Sequence, residues 1–362
     1  MSGNFEGIKT RGYGIEIECP GITRNQASKA VAKTLESQAV NEGGFYDKYT
    51  IKDSKDRKWS ILYDGSIKCV DKNRNSASKL YSVELNSPVL KYEDIPLLQE
   101  VVRALRKAGA VTGPEYRCGI HLHISADDFD ARSLRNLVNI FASKEDFLWE
   151  ALQVSSMRSG YCEKVDQRFL RELNQKKPKT VEGIEKLWYN GESRRNNHYD
   201  SSRYRALNLH SYFYGGHFEI RCCNSSLHAG VIRSYLTLAL AISNAAVTKK
   251  YCSAKVSQSD NMRYSFRVWL LNLGMIGDEF KNCRTHLLKH LDGNIAWRHP
   301  EDAIAQRERL RQERIAQREQ ACASLSAPSE EADITPDESS ESCESECEEL
   351  EETEEIGMEM AI

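Results

Sequence analysis

The apolar positions of this chain repeat with two periods. Four short stretches alternate apolar and polar residues: GIEIE (14–18), VELNS (83–87), GIHLH (119–123) and FEIR (218–221). A period of two reads as a strand with i and i+2 on one face. In each stretch the apolar set takes one face. The other face receives Glu16 and Glu18, then Glu84, then His121 and His123, then Glu219 and Arg221. The surrounding sequence gives strands at 12–21, closed by Pro20-Gly21, at 81–90, closed by Pro88, and at 116–125. KWSILYDGSIKCV (58–70) reads as two strands around Asp64-Gly65, a hairpin signal. YRALNLHSYF and HFEIRCCN, around Gly215-Gly216, read as a second hairpin.

Helical spacing marks residues 25–40, 93–110 with Gly109 as a stop, 130–152 and 227–249, with further helices to about 292. Residues 156–200 are basic and turn-rich without a clear period, which suits a lid or a surface insertion. Hairpins mixed with long helices, without strict strand–helix alternation, predict an α+β fold: an antiparallel or mixed sheet backed by helices on one face. One domain is expected over residues 1–300. A charged, solvent-exposed helix follows at 301–325, and then an acidic, disordered tail at 326–362.

Charge sharpens this division. Fifteen of the 53 acidic residues fall after residue 326, where there is no Lys or Arg. The first 326 residues therefore carry 50 basic against 38 acidic groups, a net of +12. A basic body suits phosphate-bearing or acidic substrates, and the tail suits basic partners or the basic body itself. The 11 cysteines include no CxxC pair, which argues against a zinc knuckle. With no signal-like start they read as reduced thiols of a cytoplasmic protein. The apolar run at 236–247 is interrupted by Ser243 and Asn244, and reads as a buried helix rather than a membrane span.

The polar strand faces carry the candidate chemistry. Glu16 and Glu18 leave the backbone about 6–7 Å apart, given the strand rise. Such like charges repel unless solvent or a cation intervenes. A solvated face would explain one such pair, but it ordinarily mixes Thr, Lys, Ser and Gln. Four Glu, two His and one Arg on a shared face look like the floor of a site. Hard oxygen ligands with an imidazole nitrogen suit Mg²⁺ or Mn²⁺, and Arg221 suits a phosphoryl group. No P-loop, kinase-type glycine loop or nucleophile elbow is present.

GIEIE, DGS, ELNSP, CGIHLH, LNL and FEIR, in that order, resemble the amidoligase family. This is a branch of the glutamine-synthetase-like carboxylate–amine ligases that also include glutamate–cysteine ligases. The resemblance covers roughly residues 10–300. It implies a sheet that cradles ATP and divalent metal ions, and an ATP-dependent ligase that activates a carboxylate as an acyl phosphate for attack by an amine. Its substrates would be amino acids, peptides or proteins. Motif by motif it implies metal ligands at Glu16, Glu18, Glu84, His121 and Glu219. His123 would face the nucleotide phosphates, and Arg221 phosphate or the substrate carboxylate. Arg203 and Asn208 would lie on the nucleotide side, Asp64 in a segment that holds the amine, and Arg158 in a recurrent Ser/Arg segment. Gly216 and His217 stand where family members often carry Gly-Thr. Two other classes share the residue pattern. One is a metal-dependent hydrolase or nuclease, against which no aromatic and basic interleaving suggests a nucleic-acid surface. The other is a non-catalytic interaction protein on a ligase fold.

Overall fold

A computed structural model describes residues 6–325. The chain divides into two units, at Ile304/Ala305. A short helix, α1 (Glu6–Thr10), leads into β1 (Tyr13–Cys19), α2 (Arg24–Thr34) and three strands, β2 (Ala39–Gly43), β3 (Lys48–Lys52) and β4 (Lys58–Leu62). After β5 (Val83–Asn86) come α3 (Ile95–Lys107), β6 (Gly119–Ser125) and α4 (Ala131–Ala151). Two smaller helices, α5 (Gln167–Lys176) and α6 (Val181–Trp188), precede β7 (Leu207–Asn208), α7 (His210–Gly215) and β8 (His217–Asn224). The first unit ends with α8 (Ala229–Thr248), α9 (Met262–Asn272) and α10 (Lys281–Leu288).

The eight strands form one sheet in the order β2-β3-β4-β5-β1-β6-β8-β7, with antiparallel pairing throughout. The fold is α+β, as the pattern predicts. One sheet face is apolar. Tyr13, Ile15, Ile17 and Cys19 of β1, with Ile120, Leu122 and Ile124 of β6, are at most 1% exposed beneath the helices. Fully burying one such side chain is worth roughly 1.5–3 kcal/mol, so this face fixes each strand's register. Along the helical layer, α8 packs against α3, α4 and α10. Among the described residues α8 is the helix long and apolar enough to cross a membrane, with mean hydropathy 1.3, yet 72% of it is buried in the protein. It is the core helix of this layer.

Three expectations change. The 58–70 hairpin does not form: β4 stops at Leu62, and its partners are β3 and β5. The Ser82 hydroxyl accepts from the Asp64 N–H at 3.0 Å and donates to the Asp64 carbonyl at 2.6 Å, which holds Asp64 out of a strand. Residues 156–200 contain two helices. Asp166 and Thr180 cap α5 and α6, and Phe169, Leu170, Leu173 and Ile184 are buried. The second hairpin exists, but β7 has two residues and a helix joins it to β8. The β2–β3 hairpin has no signal in the alternation, because β2 is an exposed edge strand with Val40 62% exposed.

The last described helix, α11 (Pro300–Leu325), begins before the division and includes the residues expected to form the charged helix; it is exposed over most of its described length. The acidic tail, 326–362, lies outside the described residues.

Candidate metal centre

The sheet order explains why the polar side chains meet. GIEIE is the central strand, flanked by VELN on β5 and GIHLH on β6, with FEIR of β8 next. Register then sets the pairs. Glu16 lies opposite His121 and Asn86, Glu18 opposite Glu84, and His123 opposite Glu219, which also faces Asn208 of β7. Polar residues on neighbouring strands thus fall on one face, opposite the core.

Two groups of three ligating side chains result: Glu16, His121 and Glu219, and Glu18, Asp64 and Glu84. Within each group the ligand atoms lie within 4.8 Å of one another. His121 links them. Its Nδ1 is 2.8 Å from Glu16 and 3.6 Å from Glu219, and its Nε2 is 3.8 Å from Glu18. His123 Nε2 lies 3.2 Å from Glu16. Arg221 Nη1 donates to Glu219 Oε1 at 2.5 Å, and Asn208 Nδ2 donates to Glu219 Oε2 at 2.7 Å. The Asn208 Oδ1 accepts from the His210 N–H at 2.8 Å, which sets the amide's orientation.

Two backbone devices hold the floor in shape. The Gly119 N–H donates to Glu18 Oε2 at 2.6 Å. On β8, two residues stand opposite the single His121, a bulge that interrupts the ladder. The carbonyls freed there are satisfied by Arg158, whose Nη2 donates to Arg221 O at 2.9 Å and Nη1 to Cys223 O at 2.6 Å. A Cβ on Gly119 would sit 2.1 Å from Arg158 Nη2, so the glycine of CGIHLH makes room for this clamp.

Of the expected site residues, Glu16, Glu18, Glu84, His121, His123, Asn208, Glu219 and Arg221 come together as described. Three have other surroundings. Arg158 is buried and committed to two backbone carbonyls, so it positions β8 rather than meeting a substrate. Arg203 directs its guanidinium to the His198 carbonyl at 3.3 Å and to the rings of Tyr199 and Tyr204, not to a cluster carboxylate. Asp64, expected on the amine side, lies with Glu18 and Glu84. Its carboxylate is steered there by accepting the Ser66 N–H at 2.6 Å, a turn that the DGS sequence favours. Sequence reasoning missed Asn86, Ser225 and the Tyr46–Tyr199 hydrogen bond. The Ser225 hydroxyl donates to the Glu18 carbonyl at 2.6 Å. The tyrosine pair joins the β2–β3 turn to the 190–200 segment within electrostatic range of Glu84 and Asp64.

Electrostatics divide the carboxylates. Burial would raise Glu16, but His123 and His121 outweigh it and hold the carboxyl well below its usual range. Burial opposes ionisation of Glu219 too, and Arg221 with the two histidines reverses the direction. Burial also lowers His123, and the Glu16 carboxylate overcomes it, leaving the imidazole above its ordinary value. Glu18 is raised by burial and by Asp64, against the pull of His121. Glu84 is pushed furthest up, by burial and then by Glu16, Asp64 and Glu18. Five carboxylates thus share one guanidinium. Such a set calls for protons or for added cations.

The donor set fits hard divalent ions: five carboxylates and one imidazole, with no thiolate among them. The cysteines from Cys19 to Cys283 are free thiols, most of them buried, and Cys222 beside Arg221 is held well above its ordinary value by a hydrogen bond with the Cys223 thiol and by burial. No curated protein matches the chain. A family model described as "Putative amidoligase enzyme" matches residues 9–243, a span that contains every side chain of the centre. With about two thirds of its length inside that match, the chain belongs to this amidoligase family.

Proposed function

We propose that this protein is an ATP-dependent carboxylate–amine ligase that forms an amide bond through an acyl phosphate, on a glutamine-synthetase-like sheet. The observation that carries the reading is the buried excess of carboxylate over cation on the sheet floor, beside an arginine with a donor to spare. Arg221 is 7% exposed, and its Nε has no hydrogen-bond partner.

On this reading Glu16, His121 and Glu219 hold one divalent ion, and Glu18, Asp64 and Glu84 a second, with Mg²⁺ or Mn²⁺ suited to both. Such ions neutralise phosphate charge. The chain's own groups do the rest. His123 keeps Glu16 ionised, Asn208 and Arg221 orient Glu219, and the free Arg221 Nε meets the γ-phosphoryl group. An oxygen of the substrate carboxylate attacks the γ-phosphorus, and the bond to the β-phosphate oxygen breaks to release ADP. The amine nitrogen then attacks the acyl carbon. The C–O bond to phosphate breaks, and phosphate and a proton leave. Tyr46 and Tyr199 offer one cover that limits water at the acyl phosphate.

The test incubates the protein with Mg-ATP and pools of amino acids, peptides and amines. ADP and phosphate are followed, and products are identified by mass spectrometry. Amine-dependent ADP release is expected, and it should collapse in Glu16→Gln and Glu219→Gln. AMP and pyrophosphate, or turnover unchanged in both variants, would overturn the assignment.

A further inference from the structure

A cavity of about 430 Å³ adjoins the centre at the Glu16 and His123 end. Neither Lys nor Arg lines it. Beside the imidazoles of His123 and His217 and the hydroxyls of Ser87 and Ser125, its polar walls carry three acceptors. Glu16 offers a carboxylate from the floor, and Asn86, its register partner on β5, offers an Oδ1 that is buried without a hydrogen-bond partner. Asp127 adds an exposed carboxylate that makes no ion pair among the described residues; its neighbour Asp128 is the one bonded to Arg11, at 2.6 Å. Apolar surface comes from Pro88 and from Val89, which is 67% exposed. Gly14 and Gly215 leave the walls without side chains.

A phosphate or carboxylate would meet the carboxylates of Glu16 and Asp127, and the imidazole on the cavity floor, His123, is already paired with Glu16 at 3.2 Å. A group with several N–H donors and a positive charge satisfies Glu16, Asn86 and Asp127 together. Another cavity, about 510 Å³, contrasts with it, because Arg168, Arg194 and Arg205 line that one. We infer that the cavity beside Glu16 is the acceptor-amine pocket, and that it selects a primary alkylammonium on a slender, unbranched stem. The stem lies along Pro88 and Val89, and the nitrogen is delivered to the Glu16 edge of the centre. This places the amine away from Asp64, at the opposite end of β1's polar face from Glu18. It rests on the ligase reading for its role in catalysis, but not for its binding chemistry. Bound as ammonium, the nitrogen loses one proton to solvent before attack and a second as the amide forms.

Calorimetric titration of the full chain with n-butylamine, without nucleotide, tests the pocket. Butyrate and n-butanol serve as controls. Binding of n-butylamine alone is expected. Asp127→Asn should weaken it about tenfold, the loss of one charge-assisted hydrogen bond. Val89→Lys, which sets a competing cation at the rim, should abolish it, and neither change should alter affinity for Mn²⁺. In turnover, Asp127→Asn should raise KM for the amine and leave KM for ATP unchanged. Nα-acetyl-lysine methylamide and 1,4-diaminobutane separate a lysyl side chain from a free diamine as the source, by which competes more strongly. Butyrate binding as well as butylamine, or butylamine binding unchanged in both variants, would overturn the inference. So would amine-dependent ATP turnover in a protein that does not bind butylamine. Butylamine binding as expected, with no ATP turnover under any condition, would leave the pocket standing and remove the ligase reading instead.

Discussion

Buried carboxylates occur in two very different settings in this protein. Asp94, just before α3, is 6% exposed and accepts two hydrogen bonds from Arg57 of the β3–β4 turn, at 2.7 and 3.0 Å, and one from Lys55 at 3.1 Å. Asp53 beside it accepts from Arg57 at 2.8 Å and from Trp59 Nε1 at 3.2 Å. Burial would raise both acids, but Arg57 and the surrounding N–H donors pull each below its usual range. On the sheet floor Glu18 and Glu84 are equally buried, yet among the described residues no Lys or Arg forms an ion pair with either, and both are raised. The first group is complete and serves the fold. The second is incomplete, and its deficit is cationic. A buried acid supplied with its own cation is structure, whereas a cluster of several without one is a place for a ligand.

The largest effect expected from this contrast is on activity. Glu219→Gln should lower amide synthesis by about 10³-fold, roughly 4 kcal/mol of transition-state stabilisation, while the stability measured in urea changes little. A second effect concerns Glu145 of α4, a solitary buried acid whose Oε1 accepts the Val165 N–H at 2.7 Å. Burial pushes its pKa up to about 7. Its contribution to stability is therefore full below the ordinary carboxylate pKa and is lost as pH rises towards 7. From pH 4.5 to 8 that loss amounts to roughly 3 kcal/mol, and Glu145→Gln should flatten this part of the stability–pH curve. Third, Arg57→Ala leaves Asp94 buried without its main partner. It should cost roughly 2 kcal/mol by urea denaturation without changing Mn²⁺ affinity. Smallest is the inverse case. Glu84→Gln removes a charge that the fold does not compensate, so it should stabilise the chelator-treated protein by on the order of 1 kcal/mol. Because Glu84 is raised, the gain should grow as pH rises. Added Mg²⁺ should reverse the order of the two proteins. A destabilised Glu84→Gln under chelation would break the comparison.

Much of the floor was legible because strand alternation needs no long-range information. Glu16 and Glu18, His121 and His123, and Glu219 and Arg221 could be assigned to one face from period two alone. Asp64 was legible as a turn residue but not as a partner of Glu18, since Ser82, 18 residues away, is what holds it. Arg158 carried no local signal for its role, because its partners are backbone carbonyls on β8, more than 60 residues on. Gly119 read as an ordinary strand residue until the guanidinium packed against it was known. Helices α5 and α6 were hidden by a high density of charged residues around four buried apolar ones.

By itself the sequence determined which side chains are polar on which strand, where the core helices run, and how sharply charge shifts at the acidic end. These are local properties, set by backbone periodicity and composition. Only the tertiary structure decided that β1 sits at the middle of the polar floor, that two groups of ligands form rather than one, and that Asp64 joins the second. It also decided that Arg158 is spent on the bulge while Arg221 keeps a donor free. These outcomes depend on strand order, register and a two-residue irregularity in β8. All three are fixed by the burial of the apolar face as a whole, and no short segment encodes that balance.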